Sequence, residues 1–364
     1  MNANDKAGPP ADGYLHGGDP SKDMARLGLT LKKVTDFSTN LNPLGIPPVI
    51  RDHWPELLDA VRDYPSVEGN GIARFYRERF GIHQKNILPG NGSTELIYLI
   101  YRVMRPGRVL IISPSFHDYY RAAVLAGADV ALFHLSEDNE FTDIDPAALT
   151  EACKDVDAIW IGRPNNPTGA MIAREILTDL CGMFPDKWFI LDEAFIQFID
   201  NWEEETFMFG EKPDNLIVIH SLTKFYGLAG LRMGGVIAGT DIILKIRSMK
   251  EPWTINGIAE RAAPMLMECA DYESETRAYI SFERERIIGR LNKARCIRAF
   301  TSKTNFILCK WTRTGNLDDL LSRLLKNRLY VRDCRNFTGL KDNYFRIGLR
   351  TREENELLIS VIES

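Results

Sequence analysis

Four short apolar runs constrain this chain most. VLIISP (109–114), AIWIGRP (158–164), WFILDEAF (188–195) and LIVIHS (216–221) each end in polar or turn-forming residues. Stretches with helical periodicity lie between them, among them 117–127 and 171–183. Strands that are apolar on both faces and alternate with helices predict a mostly parallel, doubly wound sheet covered on both sides, an α/β fold. Ligands of such sheets sit at the carboxyl ends of the strands. The polar residues at those ends are therefore the first candidates for chemistry.

The rest of the chain predicts two further parts. Residues 1 to about 20 are polar and rich in Gly and Pro, an arm that stays mobile unless something holds it. Residues 36–48, DFSTNLNPLGIPP, are turn-rich, and a helical pattern follows from about 49 to 62. A long helical pattern from roughly 256 to 294 precedes NFILCKW (305–311), a helix near 316–327, LYVRD (329–333), YFRIGLR (344–350) and a last helix. These predict a smaller α+β domain. The expected division is an arm with part of the small domain over 1–46, a large domain over 47–255 and a small domain over 256–364. A length of 364 residues fits one large domain plus a smaller one.

Charge and cysteine usage exclude several classes. The net charge is -5, with no basic stripe, so nucleic acid is not an expected partner. An anionic ligand must then be held by a few local Arg or Lys side chains. No run of 18 apolar residues exists, and MNANDKAGPPADGYLHGG has no apolar core, so neither a membrane span nor a secretory signal is expected. The six cysteines (Cys153, Cys181, Cys269, Cys296, Cys309, Cys334) form no C-x-x-C pair. No metal site is expected, and the thiols read as reduced and cytoplasmic.

Five constellations carry chemistry. In SLTKFYGLAGLRMGG (221–235), Lys224 stands just past a strand end among hydroxyls and glycines. Such a lysine can form a Schiff base with an aldehyde cofactor, while Ser221, Thr223 and Arg232 can hold a phosphate. An exposed loop lysine beside a glycine turn is the competing reading. Asp192 in LDEAF ends an apolar strand, and a buried carboxylate needs a partner such as a pyridinium nitrogen, or else it caps the next helix. Asn166 in RPNNPTG is fixed before a Pro and can donate to a phenolate oxygen, or simply marks a turn. GNGSTE (90–95) opens a helix whose N–H groups can bind phosphate, or is a simple N-cap. Phe116 can stack on a flat ring, or fill the core.

Taken together and in order, GNGSTE, PSF, PNNPTG, DEAF, SLTKFYGLAGLR and FRIGLRTREE resemble the fold-type I pyridoxal-phosphate (PLP) enzymes of the histidinol-phosphate aminotransferase type. The resemblance runs from about residue 36 to 352. It implies PLP as cofactor, with Lys224 as Schiff-base lysine and proton shuttle. Asp192 would face the pyridinium nitrogen, Asn166 the ring hydroxyl and Phe116 the ring face. Asn91, Gly92, Ser93, Ser221, Thr223 and Arg232 would hold the cofactor phosphate. Tyr64, in RDYPS, matches a tyrosine that reaches the neighbouring subunit's cofactor, which implies a homodimer with shared active sites. Arg346 matches the arginine for the substrate α-carboxylate and Arg332 one for a substrate phosphate. Arg suits both because its planar fork gives bidentate bonds to oxyanions.

Two activities within that family are implied: amino transfer from histidinol phosphate to 2-oxoglutarate, and decarboxylation of L-threonine O-3-phosphate or L-serine O-phosphate in cobalamin synthesis. LHGGDP with His16, Gly17 and Gly18, DFSTNLNPLG with Asn40 and Asn42, and the T-K-F-Y core are similar to the decarboxylase subfamily. His16, Gly17 and Asn40 are thereby expected at the substrate. Phe195 stands where the aminotransferases usually carry Tyr. Arg163, before Pro164, departs from relatives with a small residue there. It is expected either on a substrate anion or paired with a surface carboxylate.

Overall fold

A computed structural model describes residues 17–26, 28, 34–294, 296–313 and 316–364. His16 and the rest of the N-terminal stretch before it lie outside the described residues. Thirteen strands occur among the described residues. They are β1 (Thr35–Asp36), β2 (Ile87–Asn91), β3 (Arg108–Ser113), β4 (Asp129–His134), β5 (Ala158–Gly162), β6 (Trp188–Asp192), β7 (Leu216–Ser221), β8 (Met233–Ile237), β9 (Ile297–Ala299), β10 (Phe306–Trp311), β11 (Leu329–Tyr330), β12 (Arg332–Asp333) and β13 (Tyr344–Gly348).

Seven of these strands form the large sheet, in the order β2-β8-β7-β6-β5-β3-β4. Pairing is parallel from β7 through β4, and only β8 runs antiparallel to both of its neighbours. The apolar runs explain this arrangement. Along β6, Phe189 and Leu191 join one core while Ile190 joins the core on the other face. Along β7, Val218 and Ile219 divide in the same way. A strand whose alternate residues are both buried cannot sit at a solvated face, so helices cover both sides. The helices Gly92–Met104 and His117–Leu125 pack on one face. Arg174–Met183 packs on the other.

The smaller sheet runs β12-β13-β10-β9, all antiparallel. The α/β architecture with a mostly parallel large sheet and a smaller α+β unit is the one expected.

Several elements differ from expectation. The single helix expected over 49–62 is three pieces, Pro48–Asp52, Trp54–Leu58 and Asp59–Val61. Pro55 has no N–H to give to a continuing helix, so a new one starts around it. The long pattern over 256–294 breaks into Gly257–Met265, a tight turn at Leu266–Glu268, and Ala270–Leu291. LYVRD serves two sheets: β11 pairs parallel with β1, and β12 pairs with β13. The edge strands β2 and β4 and the antiparallel strand β8 were not expected. LPGN and MGGV carry turn residues that hide their extended conformation.

Candidate active site

The carboxyl ends of β5, β6 and β7 open onto a cavity of about 470 Å³. Of the residues singled out in the sequence, Gly17, Asn40, Ser93, Phe116, Asn166, Asp192, Phe195, Thr223, Lys224, Arg232, Arg332 and Arg346 line it. They come from the N-terminal segment, from the carboxyl ends of β2, β3, β5, β6 and β7, from the start of β8 and from two neighbouring strands of the small sheet. Asn91, Gly92 and Ser221 stand one step behind the wall, and Tyr64 points to solvent, 88% exposed.

Lys224 sits in the short helix Leu222–Phe225, directly after β7. Asn42 holds this turn in place. Its backbone N–H donates to the Lys224 carbonyl at 3.1 Å and its side-chain amide to the Phe225 carbonyl at 2.7 Å. Burial depresses the Lys224 ammonium to about 8, helped by the Arg232 and Arg346 charges and opposed by Asp192.

Asp192 is buried at the end of β6. Its carboxylate accepts from the Tyr119 hydroxyl at 2.8 Å and from the Ala194 amide at 3.0 Å. Burial raises its pKa against the pull of those donors and of Lys224. Tyr119 was not singled out in the sequence. It lies three residues past Phe116 on the helix His117–Leu125, and that spacing was the available signal. Phe116 lines the cavity and meets the Tyr119 ring edge-on, with centroids 5.7 Å apart.

The helix Gly92–Met104 presents its N-terminus to the cavity through Ser93 and Thr94. Gly92 has φ 75°, and a Cβ there would come within 2.7 Å of Arg232 Nη2. Glycine at 92 therefore lets the guanidinium rest over the helix start, where an anion is favoured by both. The Ser221 hydroxyl is 2.8 Å from that of Thr223.

Arg332 and Arg346 are register partners across β12 and β13. Arg346 is buried, bonds Asn166 Oδ1 and donates to the Ser38 carbonyl at 2.8 Å, while its Nε has no partner. Burial lowers its pKa to about 10. Arg332 donates to Asn336 Oδ1 at 2.9 Å and lies over the Phe337 ring. Phe195 is buried edge-on against Phe306, at 5.0 Å. Asn40 is buried with its Oδ1 unpartnered. Ser38 and Thr39, within DFSTNLNPLG, also line the cavity, as do Tyr98, Asp118 and Phe337, which no motif marks.

Of the two places expected for Arg163, the cavity is the one it does not take. It is fully buried behind the wall, where it pairs with buried Glu193 and with Glu205, a carboxylate that is partly exposed.

With this geometry in view, the class is plain: residues 32–362 match the family "Aminotransferase class I and II", and the chain belongs to it. Enzymes of this family work with PLP. A protein of Caldanaerobacter subterraneus subsp. tengcongensis, provisionally named a threonine-phosphate decarboxylase, is 35% identical over 327 residues, 89% of this chain and 88% of that one. The threonine-phosphate decarboxylase of Salmonella typhimurium is 30% identical over 357 residues, 96% of each chain. Among solved structures, the histidinol-phosphate aminotransferase from Clostridium acetobutylicum has a TM-score of 0.83 at 31% identity, covering 90% of this chain and 97% of that one.

The residues present fit PLP. A buried carboxylate faces the cavity without a salt bridge among the described residues, a lysine of depressed pKa stands beside it, and a glycine clears room for an arginine over a helix N-terminus.

Proposed function

We propose that this chain is a PLP-dependent lyase that decarboxylates L-threonine O-3-phosphate, or L-serine O-phosphate, to aminopropanol or ethanolamine phosphate for cobamide synthesis. The observation that carries this reading is the placement of Arg332 and Arg346 side by side on one cavity wall. Two adjacent guanidinium groups suit a short substrate with two anionic ends, one carboxylate and one phosphate. Histidinol phosphate has a phosphate and no carboxylate, and 2-oxoglutarate has two carboxylates and no phosphate, so of these only the phosphorylated amino acid brings one of each. The similarity to two decarboxylases over nine-tenths of the chain supports the same choice. The likeness to the Clostridium structure supports the alternative, histidinol-phosphate aminotransferase.

Lys224 would hold the cofactor at its aldehyde carbon, Asp192 its ring nitrogen, Asn166 its ring hydroxyl and Phe116 its face. Asn91, Gly92, Ser93, Ser221, Thr223 and Arg232 would hold its phosphate. When bound, PLP accepts the electron pair left as a bond to the substrate α-carbon breaks. Everything else falls to the chain. Asp192, kept ionised by Tyr119, Ala194 and the cationic ring, would hold the proton on the ring nitrogen. Arg346 binds the carboxylate, Arg332 the phosphate, and Asn40 and Gly17 close the substrate end, with His16 expected beside them. These anchors decide which α-carbon bond stands perpendicular to the ring, and orientation of this kind is worth roughly 7–11 kcal/mol. Lys224 would be the group that returns a proton to the α-carbon. Phe195 has no hydroxyl to offer the ring oxygen.

The enzyme is proposed to be a cytoplasmic homodimer in which Tyr64 reaches the neighbour's cofactor phosphate. The six cysteines are free thiols, in keeping with a reducing compartment. The test is to incubate the purified protein with PLP and L-threonine O-3-phosphate, without any oxo acid, and to assay carbon dioxide and aminopropanol phosphate. Catalytic release of both is expected. No release, with amino transfer from histidinol phosphate to 2-oxoglutarate, would replace this reading with the alternative.

A further inference from the structure

Two segments form the wall that carries Asn166 and Asp192. Pro164, Asn166, Asp192, Ala194 and Phe195 line the cavity. Arg163, Asn165 and Glu193, between them, do not line it, and all three are buried. Both strands end at Gly162 and Asp192, and the bends and turns that follow leave Arg163, Asn165 and Glu193 on the rear of the wall. Gly162 and Asp192 are register partners, so residues 163 and 193 emerge next to each other on the rear of the wall.

Arg163 spends its whole guanidinium there. Nε donates to the Ile172 carbonyl at 2.9 Å. Nη1 donates to the Glu205 carbonyl at 2.7 Å and approaches Glu193 Oε1 at 3.5 Å. Nη2 donates to Glu205 Oε2 at 2.6 Å. The Arg163 backbone N–H donates to the Asp192 carbonyl at 2.8 Å. Glu193 also accepts from the Thr206 hydroxyl at 2.5 Å and the Phe207 amide at 3.2 Å. Arg174 closes the cluster, with its guanidinium 4.0 Å from the Phe207 ring centroid. Two cations thus meet two carboxylates in a largely dry space.

Net stability is a poor reason for such a cluster. Apolar side chains of equal volume generally hold a fold as well as a buried ion set does. What the set provides is geometry. A planar fork with five fixed donors satisfies two carboxylates and two carbonyls in few arrangements. The residues it pins, 163 and 193, are covalent neighbours of the Pro164–Asn166 turn and of Asp192.

We infer that Arg163, with Glu193 and Glu205, is a positioning cluster that fixes Asn166 and Asp192 relative to each other from behind the cavity wall. It touches no ligand. It acts through the two side chains that the proposed function assigns to the cofactor ring, and in that respect it rests on that reading.

The informative variant is the double change Arg163→Met with Glu193→Gln. It leaves no unpaired charge fully buried, because the Glu205 side chain is 27% exposed and reaches water. Arg163→Lys is the companion variant, keeping the charge without the fork. Both are compared with wild type in two measurements. In amide hydrogen exchange of the cofactor-free protein, residues 165–169 and 193–196 should exchange roughly tenfold faster while β7 is unchanged. In the PLP-loaded protein, the pH midpoint of the visible absorbance should move, and kcat should fall roughly tenfold or more with KM little altered. Wild-type exchange in both segments together with an unmoved midpoint would overturn the inference. So would exchange that quickens uniformly across the large sheet, which would mark Arg163 as a general stabiliser. If the wild type itself takes up no PLP, the proposed function fails, and the exchange pattern still decides whether the clamp exists.

Discussion

Burial brings the Lys224 ammonium to about 8, so part of the population is an uncharged amine near neutral pH. Replacing it by Ala is expected to abolish both turnover and the visible absorbance of the PLP-loaded protein, and retained turnover would remove Lys224 from the chemistry. The same shift has a sign in stability. Between about 8 and the ordinary lysine value of about 10.4, the unfolded chain keeps a proton that the folded chain has released, so the folded state gains as pH rises. Denaturation midpoints of the cofactor-free wild type should therefore improve relative to Lys224→Met across that window. His220 works at the acid end. It is buried on β7 with Nδ1 2.8 Å from the Tyr76 hydroxyl, and burial pushes its pKa down to about 3. Below about 6.5 the unfolded chain takes up a proton that the folded chain refuses, so stability is lost as pH falls from there, by at most about 1.4 kcal/mol per pH unit. His220→Gln should flatten the denaturation midpoint between pH 6.5 and 4, and an unchanged slope would assign the acid sensitivity to other groups.

At the scale of elements, the helices Asn70–Phe80 and Gly257–Met265 lie in close contact. Gly71 makes that approach possible, because a Cβ there would overlap the Glu260 carbonyl oxygen. The Glu260 carboxylate in turn accepts from the Ser66 amide at 2.6 Å and bonds the Ser66 hydroxyl, tying the loop before one helix to the other. Gly71→Ala should cost about 1–3 kcal/mol by urea denaturation, or more if the helices separate. A neutral result would mean the pair slides apart freely. This packing also supports the segment that carries Tyr64, whose ring lies 5.7 Å from that of Trp253.

Across the whole molecule, apolar side chains emerge together on that same side. Trp54, Leu58 and Val61 lie at helical spacing, Leu58 58% and Val61 66% exposed, and Tyr64, Val67 and Trp253 continue the stripe. An exposed apolar surface of this kind suits a contact with another chain, and the proposed homodimer would cover it. Leu58→Asp with Val61→Asp is expected to yield a monomer in sedimentation that holds PLP more weakly than wild type. A wild type that sediments as a monomer would sink the shared-site arrangement.

The apolar runs determined β3, β5, β6 and β7, the parallel centre of the large sheet, and left β2, β4 and β8 unmarked. Leu216–Ser221 forms a strand within the bounds of its run, because a stretch buried on both faces has no other stable place. Strand-end logic also brought Lys224, Asp192 and Asn166 into view, since polar residues that end such runs must face the one opening the sheet leaves. The fold then decided what sequence spacing does not encode. Tyr119 reaches Asp192 only because β3 and the helix after it lie near β6 in space, not in sequence. Arg332 and Arg346 meet only through the register of β12 and β13. Arg163, which the sequence could have sent to a ligand or to a surface carboxylate, turns to the rear of the wall, because buried Glu193 and the partly exposed Glu205 there pair its charge.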